Sequence, residues 1–216
     1  MSPPEKSSAR TPQLARPQRM MPLATLPVFF KLAGQRVVVA GGTEAAAWKA
    51  ELLAAAGAIV IAIDPRPCPE LEALAAEPSA GKIVLRRRAW LSSDFSGVTF
   101  VVGAAADEIE VARIYNAARE AGVPVNVIDK PAYCTFQFGA VVNRSPLVIG
   151  ISTDGGAPVF AQAIRSRIEA LLPFGFAEWA QAAKDWREDL ADLSLSVRRR
   201  FWERFSDRAL ARPNAV

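Results

Sequence analysis

The chain has 216 residues, 51% of them hydrophobic, a formal net charge of +4, two cysteines and no histidine. That length admits one or two domains with a sizeable core, and no apolar run reaches the roughly 18 residues of a membrane span. Cys68 and Cys134 make neither a disulfide framework nor a metal-ligand spacing, which points to a reducing, cytoplasmic setting, and the missing histidine removes the commonest metal ligand and neutral-pH base.

Any acid–base chemistry must therefore rest on carboxylates, Lys, Tyr or Cys. The positive charge fits either an anionic partner or a plain basic surface with a basic tail. Residues 1–23, MSPPEKSSARTPQLARPQRMMPL, are rich in Pro, Ser and Arg and lack periodicity. They are expected to be a disordered tail, the alternative being an organelle transit peptide whose helix the prolines would break.

From Leu26 the pattern changes. QRVVVAGG is a buried strand ending in glycine, and TEAAAWKAELLAAAG is a helix stopped by Gly57. AIVIAIDP is a second strand closed by Asp64-Pro65. GKIVLRRRAW and GVTFVVGAA are the third and fourth, DEIEVARIYNAAREAG a helix, and VPVNVID the fifth strand. Strands alternating with helices predict a parallel sheet covered on both faces.

The second half differs. FGAVV begins an apolar strand, Asn143-Arg144-Ser145-Pro146 is a turn, and LVIGIST is another strand. Asp154-Gly155-Gly156-Ala157-Pro158 is a loop from which a helix opens. AEWAQAAKDWREDLADLSLSVRRRFWERF is helical and amphipathic, its Arg198-Arg199-Arg200 run either a solvated face or an anion-binding rim. Two strands and a helix are too little to close a core, so the strands over 140–152 are expected to build a homodimer.

The first strand–turn–helix unit is where a dinucleotide would sit. A G-x-G-x-x-G fingerprint would fall on Gly41, Thr43 and Ala46, with Gly42 beside the first glycine. Asp64, ending the second strand, stands where an acid binds a ribose hydroxyl. The turn is either an NAD site or part of a doubly wound domain that binds no dinucleotide. Asp129 ends the fifth strand, where an ionised group is costly to bury. It is either a base over the cofactor crevice or a cap for the turn into Lys130-Pro131.

Four stretches then carry a resemblance: LPVFFKLAGQRVVVAGG, KAELLAAAGAIV, VNVIDKPAYCTFQFGAVVNRSPLVIGISTDGGAP and RRRFWERF. Over about Leu26 to Phe205 the chain resembles the precorrin-2 dehydrogenase/sirohydrochlorin ferrochelatase family, the first module of siroheme synthases. The resemblance implies an α/β fold: a Rossmann-like parallel-sheet domain (24–137), a small α+β dimerisation region (138–173) and a C-terminal helical domain (174–216). It implies NAD-dependent oxidation of precorrin-2 to sirohydrochlorin and insertion of Fe2+, as substrate, to give siroheme, with no nucleic-acid or membrane partner.

It also implies that Asp129 serves both reactions. Glu44, Ala45, Pro65, Arg66, Ala105 and Ala106 match cofactor-contacting positions, and Lys49 matches a basic residue of the first helix. The pattern departs at Thr43, at Trp48 where Arg is frequent, and at Ala106 where a hydroxyl is usual. Precorrin-2 carries eight carboxylates, so Arg144, Arg165 and Arg167 are expected as rim contacts on charge and location alone. Relatives that continue into a methyltransferase domain leave two readings, a stand-alone enzyme or a module of a longer one. Loss of one activity, or a non-catalytic sensor, are the rival readings.

Overall fold

The computed structural model describes residues 21–214. The tail expected over 1–23 lies almost entirely outside them. The first half is a five-stranded parallel sheet: β1 (Arg36–Ala40), β2 (Ile59–Ile63), β3 (Lys82–Arg86), β4 (Val101–Gly103) and β5 (Val125–Val127), in the order β3-β2-β1-β4-β5. β1, β2 and β4 are apolar, largely β-branched runs without polar alternation, as strands buried on both faces require. Val37, Val38 and Val39 of β1 are fully buried, and Val38 pairs with Ile61 on one side and Val101 on the other.

Three helices connect them: α1 (Glu44–Ala55), α2 (Pro69–Ala76) and α3 (Glu108–Glu120). The chain leaves β1 toward β2 but leaves β4 toward β5. Right-handed crossovers therefore put α1 and α2 on one face and α3 on the other. The strand order reverses between β1 and β4, which makes the crevice over their carboxyl ends the switch point of the sheet. α2 is not among the elements expected from sequence. Its signal is Pro69 at the first helical turn ahead of ELEALAA, all good helix formers.

The second half holds an antiparallel hairpin, β6 (Ala140–Arg144) and β7 (Leu147–Ile151), then α4 (Pro158–Leu171), α5 (Phe176–Asp189) and α6 (Leu195–Ala211). The long C-terminal stretch is thus two helices, parted at Ser194, the N-cap of α6. The pair is joined by Trp179 against Phe205, ring centroids 5.1 Å apart.

Two of the expected rim arginines have structural duties. The Arg144 guanidinium is buried; it donates to the carbonyls of Leu172 (2.7 Å), Asn143 (2.8 Å) and Glu169 (3.4 Å), closing the end of α4. Arg165 donates to Val141 O (2.9 Å) and pairs with Glu169. Unpaired carbonyls at a helix end draw donors such as Arg144, whereas the Arg165 side chain stays 39% exposed. Among the described residues no helix is long and apolar enough to cross a membrane.

Candidate functional site

The expected site residues gather along one edge of the parallel sheet, at the carboxyl ends of β2, β1, β4 and β5. In β1, Ala40 pairs with Ile63 and with Gly103, and Gly103 pairs with Val127. Read across the edge, Asp64 comes first, then Gly41, Gly42 and Thr43, then Ala105 and Ala106, then Asp129. With about 4.8 Å between strands, Asp64 and Asp129 flank the crevice roughly 14 Å apart.

The glycines let the edge close. Gly41 has φ +124, and a Cβ there would lie 2.3 Å from Ala104 O. A Cβ on Gly42 would meet Pro67 Cα at 2.7 Å and Asp64 Cβ at 2.8 Å. Only bare backbone allows the turns after β1, β2 and β4 to approach this closely. Thr43 does what a glycine could not: its Oγ1 accepts from the Ala46 amide (3.2 Å) and caps α1. Glu44 and Ala45 are exposed in the first turn of α1.

After β2, Asp64 Oδ1 accepts from the Arg66 amide at 2.7 Å, which folds Pro65 and Arg66 outward and leaves Oδ2 without a partner among the described residues. After β4, Ala105 is half-buried and Ala106 exposed, and Asp107 caps α3 by accepting from the Glu110 amide (3.0 Å). These features fit a dinucleotide: close backbone at the glycine turn, a helix N-terminus facing the crevice, and a half-free carboxylate at the end of β2.

Asp129 corrects one expectation. It is exposed, so no burial cost attaches to its charge. Its backbone is left-handed, φ +58, a conformation that Asp and Asn tolerate better than other side-chain-bearing residues. Its carboxylate takes no hydrogen bond or ion pair among the described residues, so the turn is held by other groups. The Lys130 amide donates to Val127 O (3.1 Å), and Cys134 Sγ donates to Val127 O (3.2 Å) and Lys130 O (3.3 Å). Burial pushes the Cys134 thiol up, which keeps it a donor. Lys130 pairs with Glu108 at the start of α3.

The segment after this turn folds back along β5. Thr135 N donates to Val125 O (2.7 Å), and the buried Asn126 side chain donates to Phe136 O (2.9 Å). Phe136 packs on Phe100 (4.9 Å between centroids) and Phe138 on Phe136 (5.4 Å). Phe138 in turn lies beneath Lys49 of α1, whose Nζ is 4.0 Å from the ring centroid. Burial pushes the Lys49 ammonium down from 10.5 to about 8, against the opposing fields of Asp129 and Cys134. The enclosure of Lys49 was not legible in the sequence, where Lys49 and Phe138 stand far apart.

An open apolar groove of about 640 Å³ lies elsewhere, between α5 and α6, lined by Trp179, Trp186, Phe201 and Phe205 with Arg204 at its rim. It brings together no carboxylate or nucleophile.

Residues 28–140 match the family described as "Putative NAD(P)-binding". The chain belongs to that NAD(P)-binding family. It is 43% identical over 180 residues to the siroheme synthase of Ectopseudomonas mendocina, covering 82% of this chain and 38% of that one. For the Pseudomonas fluorescens siroheme synthase the figures are 39% over 193 residues, 86% and 41%; for that of Psychrobacter cryohalolentis, 37% over 181 residues, 83% and 34%. The chain thus spans about two fifths of the length of the curated relatives it matches. The solved structure of "SirC, precorrin-2 dehydrogenase" superposes with a TM-score of 0.62 over 85% of this chain and 89% of that one at 21% identity, which establishes the shared fold.

Proposed function

We propose that this chain oxidises precorrin-2 to sirohydrochlorin with NAD+ and inserts Fe2+ into sirohydrochlorin to give siroheme. The observation that carries the reading is the position of Asp129, an unpartnered carboxylate on the edge that holds the glycine turn and Asp64. The siroheme synthase relatives support the pathway.

Oxidation removes a hydride and a proton from precorrin-2. NAD+ bound in the crevice supplies the hydride acceptor. Gly41, Gly42 and Thr43, with Glu44 and Ala45 behind them, would hold its pyrophosphate at the start of α1, and Ala105 and Ala106 would line the rest of its site. Asp129 takes the proton. Insertion of Fe2+ releases two N–H protons from the macrocycle, and the same carboxylate accepts them in turn. Asp64 Oδ2 accepts from the ribose diol and repels a 2′-phosphate, which selects NAD+ over NADP+. Arg66 is the counterweight, but its amide is held by Asp64 and its side chain is exposed.

The working unit is a homodimer of a cytoplasmic enzyme. The hairpin and α4 leave Val148, Val159 and Phe160 exposed (38%, 84% and 60%), more apolar surface than two strands and a helix can cover. Light scattering is expected to give twice the 23.3 kDa chain mass.

Anaerobic incubation with precorrin-2 tests the whole reading by absorption spectroscopy. Sirohydrochlorin is expected only with NAD+, and siroheme only after Fe2+ is added. Sirohydrochlorin formed at the same rate without NAD+ would sink the dehydrogenase assignment, and siroheme formed no faster than without protein would sink the chelatase.

A further inference from the structure

Lys49 is the one cation of this edge whose situation the proposed roles leave unexplained. It projects from α1, half-buried, with its ammonium over the face of Phe138 (4.0 Å) and near the Trp48 ring (4.6 Å). None of the ion pairs among the described residues involves it. The other lysine beside Asp129 is Lys130, and Glu108 already neutralises it. The titratable groups facing Lys49 are Asp129 and Cys134, and neither lies within ion-pair distance.

An ammonium withdrawn from water without a carboxylate is costly. The ring beneath it returns only part of what hydration gave. Phe138 cannot swing away, because Asn126, Phe100 and Phe136 hold its segment against the sheet. The charge is therefore held in place with its coordination incomplete, in the field of an exposed carboxylate that has no partner among the described residues either. A ligand bearing both an acidic hydrogen and a peripheral carboxylate would complete both groups at once.

We infer that Lys49 binds a carboxylate of the tetrapyrrole in the crevice that Asp129 borders. The inference rests on the function proposed above and assigns a specificity-determining contact to it. A substrate with its acid groups esterified would leave the ammonium unsatisfied, so the site selects the free polyacid.

Equilibrium binding of sirohydrochlorin, with no turnover, separates the two claims. K49M is expected to weaken sirohydrochlorin about 10- to 100-fold, the usual worth of a hydrogen bond to a charged group, and to raise KM for precorrin-2 by a similar factor. kcat and the Kd for NAD+ should stay within about threefold, since the lost contact is made equally in ground and transition states. K49R, which keeps the charge, should recover most of the affinity. The wild-type Kd should rise as pH climbs past about 8, where the ammonium loses its proton, and the K49R Kd should not. Wild type that binds no sirohydrochlorin overturns the function itself. Wild type that binds, with K49M binding equally well, overturns only the role of Lys49. Should K49M not fold, the wild-type profile decides: a Kd flat between about pH 7 and about pH 9 overturns the inference.

Discussion

The two halves of the molecule solve the burial problem differently. In the first, β1 is sealed on both faces, and Phe95, Leu71, Ile114 and Val111 are at most 1% exposed. In the second, the buried residues among those described are Val142, Arg144, Ala161, Trp179 and Ala209, while Phe160, Leu171 and Phe174 are 60%, 72% and 80% exposed. A doubly covered parallel sheet closes its own core, whereas a two-stranded hairpin with one packed helix cannot. The lesson is that the edge proposed to be catalytic is mounted on the self-sufficient half. The second half leaves apolar surface exposed and, through the proximity of its first residues, lends walls to the crevice.

The largest expected effect tests whether the edge carries chemistry independently of the core beneath it. D129N should lower the rate of precorrin-2 oxidation by about 10²- to 10⁴-fold. The melting temperature should stay near wild type, because Asn tolerates the left-handed φ of +58 and the carboxylate makes no hydrogen bond or ion pair among the described residues. Near-normal turnover would remove Asp129 from the reaction, and loss of the fold would restore the turn-capping reading.

Next comes the contrast in packing. F100A removes a ring 2% exposed that touches Phe30, Phe136 and Phe138, and should cost about 3–5 kcal/mol in urea denaturation. F160A should cost under about 0.5 kcal/mol where the chain is monomeric. A cost that grows with protein concentration would show that a second copy covers Phe160, which turns the asymmetry between the halves into an interface.

Lys49 offers a smaller effect with a definite sign. Its ammonium holds its proton to about 8 in the fold but to 10.5 when unfolded. Between those values the unfolded chain binds more protons, so stability contributed by this group rises with pH across that window and is lowest below it. K49M should remove that slope and raise stability at pH 7 by about 1–2 kcal/mol, after discounting for the part of the side chain still in water. A fall in stability would mean that Lys49 is structural.

T43G is the mildest change. The cap at Ala46 N is lost, but glycine is itself a tolerated N-cap, so a few tenths of a kcal/mol is expected and activity should hold or rise. A large loss of NAD+ affinity would show that the hydroxyl touches the cofactor.

What the sequence determined by itself was the first half and its edge. Runs such as VVV and IVIAI, broken by Gly41-Gly42, Asp64 and Asp129, specify parallel strands and their carboxyl ends, because burial on both faces leaves its record in continuous apolar composition. Helix α2 was missed because eight residues hold too few turns for a period to stand out. The tertiary structure decided the rest. Arg144 looked like a ligand contact until it was found closing α4, and Lys49 and Cys134 acquired their roles from neighbours outside their own elements. Periodicity reports which face of an element is covered. It does not report by what, and a charge takes its chemical character from the groups that packing brings beside it.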